Sequence, residues 1–219
     1  MPALPPYEHP DWYDLHDTAW TAGSEREPEH YRETMLALPP LDHADHLVDV
    51  GAGTGKLAAL IARGYPNLGR LTLLEPNVVK LARAEARLRE LLPHARLETL
   101  PASLGEGQDL PTAIADYVTV GSVFMPIMLL RGGTLADGLA WTRRGLADAL
   151  RLLKPGGWLY TIETLAIAWE GGPLDGPVRR LQMLEWLAEL TNAGFEQVET
   201  VYRFRDRVSV RGQRSLRRE

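Results

Sequence analysis

The chain contains no cysteine, so disulfides, thiolate metal sites and chemistry through a cysteine nucleophile are excluded. Long hydrophobic runs are missing too. Nothing approaches the roughly 20 apolar residues that cross a bilayer, and the opening Met1-Pro2-Ala3-Leu4-Pro5-Pro6 has neither the charge nor the apolar stretch of a signal peptide. A cytoplasmic protein with no membrane partner is expected. Positive charge is in deficit as well: 24 Lys and Arg stand against 29 Asp and Glu, a net charge of −5, which argues against a surface built to bind polyphosphate. Neither an internal repeat nor a low-complexity tract is evident. The 219 residues, 45% of them hydrophobic, suit one α/β domain with a substantial core.

The densest signal is His46-Leu47-Val48-Asp49-Val50-Gly51-Ala52-Gly53-Thr54-Gly55-Lys56-Leu57-Ala58, an apolar strand that runs into alternate glycines and then a helix. Glycines there permit a tight turn with no Cβ in the way, so a nucleoside-bearing ligand can lie on bare main chain at a helix N-terminus. Glu75, 20 residues beyond Gly55, ends a second apolar strand, Leu71-Thr72-Leu73-Leu74, and is followed by Pro76. In nucleotide-binding α/β folds an acid so placed accepts hydrogen bonds from ribose hydroxyls. Alone, Glu75 would read as a solvated strand end; beside three glycines it reads as a ligand group. The spacing G-x-G-x-G also differs from the G-x-G-x-x-G of nicotinamide and flavin folds, whose third glycine comes one residue later.

Gly51 to Gly55 after Val48-Asp49 resembles motif I of the class I S-adenosylmethionine-dependent methyltransferases. Two further stretches are similar to that family. Ala115-Asp116-Tyr117-Val118-Thr119-Val120-Gly121-Ser122-Val123-Phe124 looks like its fourth strand, and Leu152-Leu153-Lys154-Pro155-Gly156-Gly157-Trp158-Leu159-Tyr160 like the turn into its fifth. The resemblance implies S-adenosylmethionine as cofactor, contacted by Asp49, Gly51, Ala52, Gly53, Gly55, Glu75, Pro76, Gly121 and Ser122. One position departs from the pattern. After the third strand, Arg96 to Leu100, many relatives carry an acid near the adenine amino group, where this chain has Pro101-Ala102-Ser103-Leu104. Main chain at Ala102 and the Ser103 hydroxyl would then meet the adenine, although Ser103 reads equally well as a turn residue.

The alternation of strand and helix predicts a Rossmann-like, doubly wound α/β sheet, mostly parallel. Residues 46–51 read as the first strand, 55–63 as the first helix, and 77–92 as the second. A further helix spans 134–153, with Thr134 and Asp137 as a capped start, and a fifth strand spans 158–164. A final helix runs from Val178 to Ala193 and stops at Gly194. Two strands, 196–202 and about 207–210, are joined too closely for a crossover and must form an antiparallel pair. The seven arginines from Arg203 to Arg218 read as a solvated outer strand and tail or, alternatively, as an RNA-contacting edge.

Residues 1–45 stand outside the 46–219 domain and read as a helical cap or lid over the cofactor, rich in aromatic and imidazole groups that include Tyr31. A carboxylate or neutral amine acceptor needs no base; a hydroxyl or acidic carbon does. His16, His9 and Tyr13 are the candidates. His43-Ala44-Asp45-His46 reads as a solvated loop rather than a metal site, and no metal is expected. The expected activity is methyl transfer to a small-molecule O, N or C acceptor. Strand four ends in Gly121-Ser122-Val123-Phe124 rather than the Asn/Asp-Pro-Pro-Tyr/Phe box of base-methylating enzymes, and no nucleic-acid partner is expected. An RNA or protein methyltransferase and a non-methylating cofactor-binding protein are the alternatives. Oligomeric state stays open, a homodimer being one option.

Overall fold

The computed structural model describes residues 29–130, 133–168 and 172–216. Helix α1 (Glu29–Ala37) leads into β1 (His46–Val50), α2 (Lys56–Gly64), β2 (Arg70–Leu74), α3 (Val78–Leu91) and β3 (Arg96–Leu100). There follow β4 (Ala115–Gly121), α4 (Phe124–Leu130), α5 (Leu135–Leu152), β5 (Leu153–Thr164), α6 (Met183–Asn192), β6 (Phe195–Phe204) and β7 (Arg207–Arg214). The strands form one sheet in the order β3-β2-β1-β4-β5-β7-β6. Neighbours from β3 through β5 are parallel, whereas β7 runs antiparallel to both β5 and β6. This is the mostly parallel sheet with an antiparallel C-terminal pair that the sequence predicts.

All five residues of β1 are buried, as expected of a parallel strand covered on both faces. Side chains alternate along it: Val48 and Val50 join a core with Phe124, Met128, Trp141, Leu146 and Trp186, while Leu47 joins Leu57, Ile61, Leu71, Leu73 and Leu88. Helices α2 and α3 thus cover one face, and α4, α5 and α6 the other. Helix starts follow side-chain chemistry. Asn77 accepts from the amides of Val79 and Lys80 at the head of α3, and Thr134 with Asp137 closes the expected capping box at α5.

Four expectations need correction. Helix α6 begins at Met183, not Val178, because the backbone before it pairs elsewhere: Leu135 N–H donates to Gly176 O at 3.0 Å, Ala136 N–H to Leu174 O at 2.9 Å and Ala166 N–H to Leu181 O at 2.9 Å. Strand β5 starts at Leu153, and Pro155-Gly156-Gly157 form a bulge within it between the pairs Ala115↔Leu153 and Tyr117↔Trp158, where a turn was expected. His46 lies on β1 and is 1% exposed, not in a solvated loop. Its ring nitrogens reach Ile114 O and Thr72 Oγ1, each at 2.8 Å.

The fourth correction concerns the arginines. Strand β7 lies inside the sheet and β6 is the edge. Arg211 Nε donates to Glu199 Oε1 at 2.6 Å, and its guanidinium sits 4.8 Å from the Trp158 ring centre. Arg214 Nη1 donates to Leu150 O at 3.2 Å and to the carbonyls of Arg151 and Leu153, closing the C-terminus of α5 as a cation should. Arg203 and Arg205 are exposed; Arg217 and Arg218 lie outside the described residues.

Candidate active site

The carboxyl ends of β1 to β4 lie side by side in the register Val50↔Leu74, Leu74↔Leu100 and Val50↔Val120. That register gathers Gly51 to Gly55, Glu75 with Pro76, Ala102 with Ser103, and Gly121 with Ser122 along one rim, where ligands of open α/β sheets bind. Gly51 and Gly53 are partly exposed on the rim, whereas Gly55 is buried behind it.

Each glycine is needed for a different reason. All three have positive φ, at 65°, 53° and 82°, a region that side chains rarely adopt. A Cβ on Gly51 would fall 2.2 Å from Val123 Cγ2, and one on Gly55 would lie 3.0 Å from Ala84 in α3. Beside Gly53 the space is open: a Cβ there would meet nothing nearer than Gly51 O at 3.9 Å. Gly53 therefore carries the bare main chain that a ligand can approach, while Gly55 lets two helices close.

Glu75, 7% exposed, braces this loop. Its Oε2 accepts from Gly53 N–H and its Oε1 from Asn77 N–H, both at 3.0 Å, so its oxygens stand beside the open face of Gly53. Below lies Asp49, whose Oδ1 accepts from the Thr119 hydroxyl at 2.8 Å. Burial pushes Asp49 up to about 7, the Thr119 hydroxyl and the Ala58 amide pulling the other way and Glu75 adding to the rise. Its Oδ2 is buried without a hydrogen bond of normal geometry. After the third strand, Ser103 N–H donates to Gln108 Oε1 at 2.8 Å, which ties down the Ala102–Ser103 segment.

One group escaped the sequence reading, and a second was read only as part of the aromatic cap. Glu163, 1% exposed, ends β5 beneath the turn after β4, and its signal was available: like Glu75 it is a carboxylate at the end of an apolar strand. Tyr31 of α1 reaches the end of β4, its hydroxyl 3.5 Å from where a Cβ on Gly121 would stand. His16, His9 and Tyr13, the expected bases, lie outside the described residues, as does most of the 1–45 segment. Its described part, α1, packs on α2 and on β5, β6 and β7, and Tyr65 Oη donates to Met35 O and Leu38 O at 3.0 Å each. No cluster of His, Asp or Glu able to hold a metal occurs among the described residues, and no helix among them is long and apolar enough to cross a membrane.

No protein-family model matches the chain. It is 27% identical over 145 residues to the release factor glutamine methyltransferase of Koribacter versatilis, covering 60% of this chain and 51% of that one. It is also 27% identical over 199 residues to the ubiquinone/menaquinone biosynthesis C-methyltransferase UbiE of Rubrivivax gelatinosus, 89% of this chain and 69% of that one. The chain thus spans about half the length of the first relative. Among solved structures, the [4+2]-cyclase SpnF superposes with a TM-score of 0.65 at 20% identity, covering 99% and 98% of the two chains. Human N-acetylserotonin methyltransferase in complex with S-adenosylmethionine superposes with a TM-score of 0.63 at 15% identity, covering 95% of this chain and 56% of that one. In fold the chain is like these solved structures, and the curated proteins that its sequence resembles are methyltransferases.

Proposed function

We propose that the chain transfers a methyl group from S-adenosylmethionine to a small-molecule acceptor. The observation that carries the cofactor half is the open main chain at Gly53 with a near-buried carboxylate, Glu75, directly beside it. Gly51 and Gly53 would lie against the cofactor, Glu75 would accept from ribose hydroxyls, and Ala102 with Ser103 would meet the adenine edge. Gly121 and Ser122 would form the wall nearest the acceptor. When bound, the cofactor supplies a methyl group already activated by its sulfonium. The protein's part is therefore to align donor and acceptor and to exclude water.

Two observations favour a small acceptor over RNA. The net charge is −5, and Arg211 and Arg214 of the C-terminal hairpin are engaged with Glu199 and with the end of α5. A second reading, a protein that keeps the crevice without transferring methyl, has one finding in its favour: the end-to-end likeness to a protein named a [4+2]-cyclase. An acceptor hydroxyl or acidic carbon would call for a base, with His16, His9 and Tyr13 the candidates and the Tyr31 hydroxyl a further group at the same rim.

Incubation with S-adenosylmethionine labelled in its methyl group, against separated small-molecule, RNA and protein fractions of a cell extract, tests the assignment. Label should pass into the small-molecule fraction. Label in RNA or protein would overturn the acceptor class, and tight cofactor binding with no transfer to any fraction would favour the non-methylating reading.

A further inference from the structure

Glu163 stands at the carboxyl end of β5 with no role in the reading above, yet it is one of the most enclosed carboxylates described, at 1% exposure. Its surroundings are main chain. Oε1 accepts from Val123 N–H at 3.2 Å and Phe124 N–H at 2.9 Å, and Oε2 from Met125 N–H at 3.1 Å. Three successive amides converging on one carboxylate fix the turn between β4 and α4 far more tightly than a chain end would be fixed by solvent. Just before them, Ser122 sits at φ 55°, a left-handed conformation that a non-glycine residue keeps only when its neighbours over-determine it. Here they do: Ser122 N–H donates to Ile162 O at 2.7 Å on one side, and the amides held by Glu163 follow on the other.

The turn so fixed is one wall of the crevice. Val123 Cγ2 lies 2.2 Å from where a Cβ on Gly51 would be, so the valine methyl occupies the space that the glycine leaves. A line of direct contacts therefore runs from the Glu163 carboxylate through the Val123 amide and side chain to the first glycine of the cofactor loop. Along the way it passes Ser122, which is partly exposed.

We infer that Glu163 is a positioning residue: by holding the amides of Val123, Phe124 and Met125 it seats Val123 on Gly51 and sets the separation of the β4 wall from the glycine loop, and with it the affinity for cofactor. This rests on the cofactor reading proposed above. Glutamine in its place keeps one acceptor oxygen but turns an N–H toward the Met125 amide, so the turn loses a bond and gains a repulsion. The fold elsewhere keeps its packing.

Calorimetric titration of the full chain with S-adenosylhomocysteine at pH 8 tests this, using wild type, Glu163→Gln, Val123→Ala, their double variant and Leu146→Ala, a fully buried core change in α5 away from the crevice. Glu163→Gln and Val123→Ala should each weaken binding by more than about threefold, and the double variant should be little weaker than the worse single one, the mark of groups acting through one another. Leu146→Ala should lower the melting temperature yet keep the wild-type affinity, which separates positioning from general destabilisation. Affinity within about threefold of wild type in Glu163→Gln, losses that multiply in the double variant, or an equal loss in Leu146→Ala would each overturn the inference. Should Glu163→Gln fail to fold, Val123→Ala decides alone, and unchanged affinity there overturns it. Failure of wild type itself to bind would instead defeat the cofactor reading on which the inference stands.

Discussion

Single residues separate what a motif announces from what a site needs. The three glycines were legible as a group, but only the structure distinguishes Gly53, open to a ligand, from Gly55, closed against Ala84; a spacing cannot say which side of a loop faces a helix. Glu75 was legible because it ends an apolar strand at the right distance. Its replacement by alanine should weaken S-adenosylhomocysteine binding by about 1.5–3 kcal/mol, the scale of a charge-assisted hydrogen bond, with an unchanged circular dichroism spectrum, and unchanged affinity would show that the ribose is held elsewhere. Glu163 invites a prediction of a different kind. Burial raises it from 4.5 to about 7, its three amide bonds pulling the other way, so the folded state holds a proton there that the unfolded state has lost. Stability from this group is present at low pH and is lost as pH rises through that range. His46, lowered by burial, has the opposite sign, its contribution lost as pH falls below 6.5. In the difference between Glu163→Gln and wild type, His46 and the other groups cancel. The glutamine variant should therefore gain about 2–3 kcal/mol relative to wild type between pH 5 and pH 7.5, measured by denaturant titration at each pH. A difference independent of pH would show that Glu163 titrates as an ordinary surface acid.

At the level of elements, periodicity and caps carried as far as local chemistry decides the outcome. The box of Thr134 and Asp137 and the side chain of Asn77 start helices where the sequence placed them. Helix α4 went unread because Phe124-Met125-Pro126-Ile127-Met128-Leu129-Leu130 has no polar face to mark a period, its Phe124, Met125 and Met128 being buried. Pro126 fits in its first turn, where proline removes only an N–H that would lack a helical partner anyway. Residues 178–182 failed as helix for a tertiary reason: Leu181 O is taken by Ala166 N–H, and Gly176 O and Leu174 O just before them by the start of α5. The bulge in β5 and the inner position of β7 likewise depend on which strand lies alongside. Arg214→Ala tests the reassigned hairpin. Removing the cation that closes the C-terminus of α5 should lower stability by about 1–2 kcal/mol without changing cofactor affinity, and a melting temperature equal to wild type would show the contact to be idle.

For the whole molecule, the sheet brings distant segments to one rim while the two cores on its faces keep that rim in place. Asp49 and Glu163 end up buried beneath it, each raised to about 7, one under the glycine loop and one under the opposite wall. The mostly parallel, doubly covered sheet and its antiparallel C-terminal pair were legible because alternating apolar strands and amphipathic helices admit few arrangements. The acceptor was not, since its identity depends on side chains that the repeating pattern of an α/β fold leaves free to vary. The central claim is that this rim binds S-adenosylmethionine. Titrating the purified chain by calorimetry with S-adenosylhomocysteine and, separately, with NAD tests it most directly: the account predicts dissociation at micromolar concentrations for the first and no heat for the second, whereas binding of NAD with no response to S-adenosylhomocysteine would contradict it.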